Sequence, residues 1–175
     1  MEIIFKKLES EPEFEIIKSL YLTAFPPEER REYIELIKHI NIENCTVTLI
    51  YSNQKVAGFF ILWNFNDFVF LEHFAIESEL RGQGIGERVL SQIRENLYKP
   101  VILETEIPAD EIAIRRVSFY FRNGFHLLER HYLQPSYDGI KPEVEMKLMS
   151  SESDYSETQL DNFISVIRKE VYGKF

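Results

Sequence analysis

The sequence holds a single cysteine, Cys45. A lone thiol closes no internal disulfide, so nothing in the chain calls for an oxidising compartment. No apolar run approaches the roughly 20 residues that cross a bilayer. The opening Met1-Glu2-Ile3-Ile4-Phe5-Lys6-Lys7 lacks the apolar stretch and small-residue cleavage site of a secretory leader. A cytoplasmic protein with no membrane partner is therefore expected. Basic residues are few, 20 Lys and Arg against 29 Asp and Glu, for a net charge of −9. That balance argues against a nucleic-acid partner, which needs a basic surface, and it is compatible with a cationic small molecule. The four histidines show no metal-ligand spacing, so no metal is expected.

What is present is apolar and aromatic. The 175 residues include 45% apolar side chains, with 14 Phe and 9 Tyr, enough for one domain over residues 1–175 with a core of its own. Ile3 to Leu8 reads as a first strand. Ser10 and Glu13 form a capping-box pattern ahead of Phe14, Ile17, Tyr21 and Ala24 at helical spacing. Pro26-Pro27 ends that helix and starts another, with Tyr33, Leu36, Ile37 and Ile40 as its stripe. Thr46 to Tyr51 and Val56 to Trp63 read as a hairpin across Ser52–Lys55, followed by a strand at Val69 to Ile76. A glycine run, Arg81-Gly82-Gln83-Gly84-Ile85-Gly86, opens a helix carrying Ile85, Val89 and Ile93, and Val101 to Glu106 is the next strand. Asp110 caps a helix that ends at Gly124, a left-handed terminator. Phe125 to Tyr132 and Val144 to Met149 are the last two strands. An acidic connection and a helix with Leu160, Phe163, Ile164 and Ile167 complete the chain. Such an order gives an α/β (α+β) fold, a mixed sheet with helices on its faces.

The strand-to-helix junction at the glycines is the strongest local signal. Glycines let backbone approach a ligand, and the free N–H groups of a helix start make an anion site suited to phosphate. A P-loop needs a Lys after its last glycine, and none follows here. A dinucleotide fingerprint counted from Gly82 puts its third glycine at Glu87, so that pattern fails too. The pattern Arg/Gln-x-x-Gly-x-Gly/Ala is filled by Arg81, Gly84 and Gly86.

This segment resembles motif A of the GNAT superfamily of acetyl-CoA-dependent N-acetyltransferases. Phe119-Tyr120-Phe121-Arg122-Asn123-Gly124-Phe125 resembles its motif B, one strand and one loop later, in the family order. Glu72-His73, Arg115-Arg116 and the Tyr-Leu-Gln-Pro segment are similar to a bacterial branch of the family. The resemblance covers roughly residues 1 to 149, leaving 150–175 as an appended acidic connection and helix. It implies a mostly antiparallel central sheet of about seven strands, acetyl-CoA as co-substrate, and a small-molecule amine as partner. Coenzyme contacts would fall on Phe74, Ala75 and Ile76, on Arg81, Gly82, Gln83, Gly84, Ile85 and Gly86, and on Arg115, Arg116 and Arg122. Many relatives carry an Asn where this chain has Ala113-Ile114, a contact that Arg115 or Arg116 would have to replace.

The chemistry sets three demands. The amine, with a free pKa near 10.4, must lose a proton to a base. Glu72 is the candidate, with His73 as its rival. Strict alternation places Glu72 on the face of Phe74 and Ile76, with His73 on the other, and the apolar strand is expected to raise the Glu72 pKa by desolvation. The developing oxyanion needs a donor, which the resemblance places on the backbone near Phe74 or Ala75. The departing thiolate needs an acid, and Tyr120 matches the family's tyrosine. Tyr132 and Tyr137 either shape the acceptor pocket or simply pack. Two other functions fit the same motifs, acetylation of protein N-termini or lysines and a non-catalytic acyl-CoA-binding regulatory module. The final helix either covers the sheet or joins two copies into a homodimer.

Overall fold

The computed structural model describes residues 1–173. Eight strands form one sheet: β1 (Ile3–Lys7), β2 (Cys45–Ser52), β3 (Lys55–Asn64), β4 (Val69–Ile76), β5 (Val101–Glu106), β6 (His126–Leu127), β7 (Tyr132–Gln134) and β8 (Val144–Ser150). Their order is β1-β2-β3-β4-β5-β8-β6, with β7 also on β8. Every pairing is antiparallel except β4 with β5. The helices are α1 (Glu15–Ala24), α2 (Tyr33–Ile37), α3 (Ile85–Leu97), α4 (Glu111–Arg122) and α5 (Glu157–Val166), the last continuing as a π-turn through Val171. Among the described residues no helix is long and apolar enough to cross a membrane.

The mixed sheet has the expected form, with eight strands where about seven were read. Two elements differ. The helix after Pro26-Pro27 shrinks to five residues between 3-10 turns. The strand expected at Phe125 to Tyr132 is two short pieces, because a turn at Glu129–His131 interrupts it. The anticipated caps are present. Asp110 accepts from the N–H groups of Ile112 and Ala113, and Gly124 stands at φ +76°.

The sheet carries two cores. On one face α3 and α4 lay Val89, Ile93 and Val117 against Leu62, Leu71 and Leu103. On the other, α1 with the 3-10 turn before it, and α5, bring Phe14, Ile17, Tyr21 and Phe163 against Phe59, Phe68 and Phe70. The final helix thus covers the sheet. Phe163 meets Phe68 at 4.8 Å between ring centroids, and burying one such ring contributes roughly 1.5–3 kcal/mol.

One irregularity creates the functional geometry. β4 and β5 pair at Val69↔Val101, Phe70↔Ile102 and Leu71↔Leu103, and then part. Beyond Leu71, β4 follows β3 as far as Ile76↔Gly58, while β5 follows β8 as far as Glu106↔Met146. The sheet therefore splits into a V whose apex lies just past Leu71 and Leu103.

Candidate active site

A cavity of about 1110 Å³ occupies the split. One end lies on the α3/α4 face, at Arg81, Gly82, Gly84, Gly86 and Phe119. The other reaches the α1/α5 face, at Glu29, His73, Glu104 and Gln134. The opening therefore runs through the sheet.

The first end is built by the glycine turn. Gly82 and Gly84 stand at φ +75° and +76°, where a residue with a Cβ is strained. Gly84 is the N-cap of α3 and offers no side-chain cap, so the first N–H groups of the helix remain free for an anion. Arg81 folds its Nε to the Ile76 carbonyl at 2.9 Å, which holds its guanidinium at the turn. At Gly86 the constraint is contact. A Cβ there would lie 3.1 Å from the Phe119 ring and 3.6 Å from Phe74. Between the turn and the apex the edge of β4 is exposed. The Glu77 N–H donates to Ala57, so ladder alternation turns the polar groups of Phe74 and Ile76 away from β3 and into the split.

Tyr120 lies on α4 beside this channel, 7% exposed. Its ring packs on Phe119 and Phe125. Burial pushes its hydroxyl up to about 12, so it stays protonated at any physiological pH. Arg122 also reaches the cavity. Arg116 is paired with Glu106, and Arg115 lies at the rim, paired with Glu111 at 3.2 Å.

The other end corrects two expectations about Glu72. Ile61 pairs with His73 and Leu62 with Leu71, so Glu72 is the extra residue of a β-bulge. The bulge breaks strict alternation. Glu72 and His73 both face the α1/α5 side, and only Phe74 and Ile76 face the other. Nor is the Glu72 pKa raised. Although burial alone would raise it, Arg31 Nη2 at 3.2 Å, together with the Trp63 Nε1–H donated at 2.7 Å, holds the carboxyl at about 2. Arg31 is itself fixed by the Tyr137 ring, 4.5 Å away, and by the Val171 carbonyl. His73 is fully enclosed, and burial lowers its pKa to about 4.

Residues without a sequence motif complete the chamber. Glu104, one step past the apex on β5, accepts from Gln134 Nε2 and Tyr172 Oη, both at 2.7 Å, and from Tyr132 Oη. Burial raises its pKa. Glu29, in the turn before α2, is half-buried at the rim, and burial followed by the charge of Glu106 lifts its pKa to about 7. Alternation along Glu104-Thr105-Glu106 was a usable signal for two acids on one face. Nothing local marked Glu29 or Arg31.

A family model for the acetyltransferase (GNAT) domain matches residues 43–127. A solved GNAT-family structure from Bacteroides thetaiotaomicron is 32% identical, covers 98% of this chain and 99% of that one, and superposes with a TM-score of 0.91. The chain belongs to the GNAT acetyltransferase family. In sequence it is also similar to the protein named "Putative acetyltransferase YjbC" of Bacillus subtilis (strain 168), 33% identical over 64 residues, which is 35% of this chain and 32% of that protein. A variant of the spermidine N-acetyltransferase SpeG from Vibrio cholerae shares the fold at 15% identity, with a TM-score of 0.62 over 85% of this chain and 94% of that one. GNAT enzymes are acetyl-CoA-dependent acyltransferases, and the geometry suits that co-substrate. The uncapped start of α3 and Arg81 fit a pyrophosphate, and the free edge of β4 fits an amide-bearing arm. The GNAT model stops well short of α5, yet the segment that follows α5 brings the Tyr172 hydroxyl onto Glu104.

Proposed function

We propose that this GNAT enzyme transfers an acetyl group from acetyl-CoA to a primary amine of a small molecule, by direct attack. The observation that carries the reading is the split sheet, which joins an anion site on one face to a chamber of carboxylates on the other. The structural neighbour SpeG is named for acetylating a small amine and shares this fold. We read residues 1–175 as one working unit, since Tyr172, just beyond α5, donates to Glu104 of the chamber.

Acetyl-CoA supplies the activated thioester. Arg81 and the N–H groups between Gly82 and Gly86, with Gln83 and Ile85 in the same turn, would bind its pyrophosphate. Arg122, with Arg115 and Arg116 at the rim, adds positive charge. The backbone of Phe74 and Ile76 would pair with the pantetheine arm, and the Phe74 N–H, not that of Ala75, which turns toward β3, would face the acetyl oxygen. Tyr120 would give its proton to the departing sulfur.

For the base, the chamber favours Glu29 over Glu72. A carboxylate held at about 2 by Arg31 is a poor proton acceptor, and so is an imidazole pushed to about 4. Glu29, at about 7, titrates where a base works best. The sign follows directly. Glu29 accepts a proton only when ionised, so the rate should rise as pH increases through about 7. Glu106, Arg116, Glu104 and Glu28 are the charged groups that set this value. Thiol release with a panel of amines tests the reading. Glu29→Gln is expected to lower kcat by about 10²–10⁴-fold and to remove the rise near neutral pH. An unchanged pH profile would move the base elsewhere.

A further inference from the structure

The chamber holds more carboxyl groups than it has cations to pair with them. Four carboxylates line it, Glu29, Glu72, Glu104 and Glu106. Two have cations of their own, Arg31 on Glu72 and Arg116 on Glu106. The remaining arginines of the cavity, Arg81, Arg115 and Arg122, lie at its coenzyme end or on its rim. Glu104 and Glu29 have no ion-pair partner among the described residues. Glu29 lies at the rim, where water reaches it. Glu104 is half-buried, directly across the apex from Glu72, since both follow the last paired residues, Leu71 and Leu103.

Three donors hold Glu104, all of them neutral: two tyrosine hydroxyls and one carboxamide. The carboxamide shows what else is wanted. Gln134, a lining residue of the cavity only 3% exposed, turns its NH₂ to the carboxylate, which leaves its buried Oε1 with no hydrogen-bond partner. A buried polar atom left unpaired costs about 1–3 kcal/mol. The apex therefore keeps a carboxyl group without a cation, Glu104, beside a carboxamide oxygen without a donor, Gln134 Oε1.

The reacting amine does not meet this need, because it has to lose a proton in order to attack. We infer that the acceptor carries a second cationic centre, an ammonium that stays protonated throughout and seats against Glu104 Oε1 and Gln134 Oε1. The inference rests on the acetyltransferase reading given above. The two unmatched carboxylates then have separate duties, Glu29 receiving the proton of the reacting amine and Glu104 holding the other nitrogen. Tyr172, just beyond α5, and Tyr132, on β7, orient Glu104 without touching the substrate and are positioning residues.

Equilibrium binding tests the seat independently of turnover. In calorimetry on the full chain, 1,4-diaminobutane is expected to bind about ten- to hundredfold more tightly than butylamine, the range for a charge-assisted hydrogen bond. Glu104→Gln should collapse that ratio toward one. Gln134→Met, which keeps the carboxylate, should narrow it in part. Acetyl-CoA titration of each variant checks that the fold is intact. Equal affinity for the two amines in the unsubstituted protein would overturn the inference, as would a ratio unchanged in a folded Glu104→Gln protein. Thiol release with the same two amines is the separate arm. Acetylation of both without preference would leave the transferase reading standing and remove the seat. A diamine preference in binding with no acetylation of either amine would support the seat and count against the transferase.

Discussion

Replacing Arg31 with methionine is expected to destabilise the protein by about 3–5 kcal/mol, because it strands the Glu72 carboxylate without its cation in the interior. For a chain of this size that corresponds to a fall in Tm on the order of 10 °C. The double variant Arg31→Met/Glu72→Met should recover much of the loss, since a buried ion pair exchanged for apolar side chains of similar volume is often neutral. Acid dependence follows with a definite sign. The folded Glu72 pKa, about 2, lies below its ordinary value of 4.5, so its contribution is present above that ordinary value and is lost as pH falls toward 2. Removing Arg31 should remove this limb from the stability profile. An unchanged Tm in Arg31→Met would mean that the pair is incidental to the fold and would reopen the case for Glu72 as the base.

Tyr120→Phe is expected to lower kcat by about 10²–10⁴-fold, the range for a positioned general acid, with acetyl-CoA affinity unchanged. The split between the two quantities is the informative part. The ring stays between Phe119 and Phe125, so packing is preserved and only the proton donor is lost. A parallel loss of coenzyme affinity would identify Tyr120 as a structural wall of the channel. Unchanged turnover would assign the proton to water.

The parts of the site that sequence disclosed are those with backbone requirements. Gly82 and Gly84 are needed for positive φ and Gly86 for a close approach to Phe119, and these constraints show as a spaced glycine pattern. Gly124 and Asp110 mark the two ends of α4 for the same kind of reason. The acceptor chamber was far less legible. The bulge at Glu72 leaves no residue-type signature, so alternation alone put Glu72 on the wrong face. Desolvation of Glu72 was foreseeable, but Arg31 reaches it from a turn some 40 positions earlier in the chain, and that distant cation reverses the direction of the pKa shift. Glu29 gains its value from a neighbourhood assembled by β5 and α4. Tyr172 enters only because α5 folds back over the sheet. Local chain geometry is written in local residues, whereas the acceptor side depends on where remote segments meet.

In the proposed complex the split sheet holds acetyl-CoA with its pyrophosphate on the glycine turn. Calorimetric titration with acetyl-CoA, set beside a Gly86→Trp variant, tests it most directly. An indole at that position would collide with the Phe119 ring and fill the channel. Micromolar-range binding is expected, and the variant is expected to lose it while remaining folded. A folded, unsubstituted protein that does not bind acetyl-CoA, or a folded Gly86→Trp protein that binds it equally well, would contradict it.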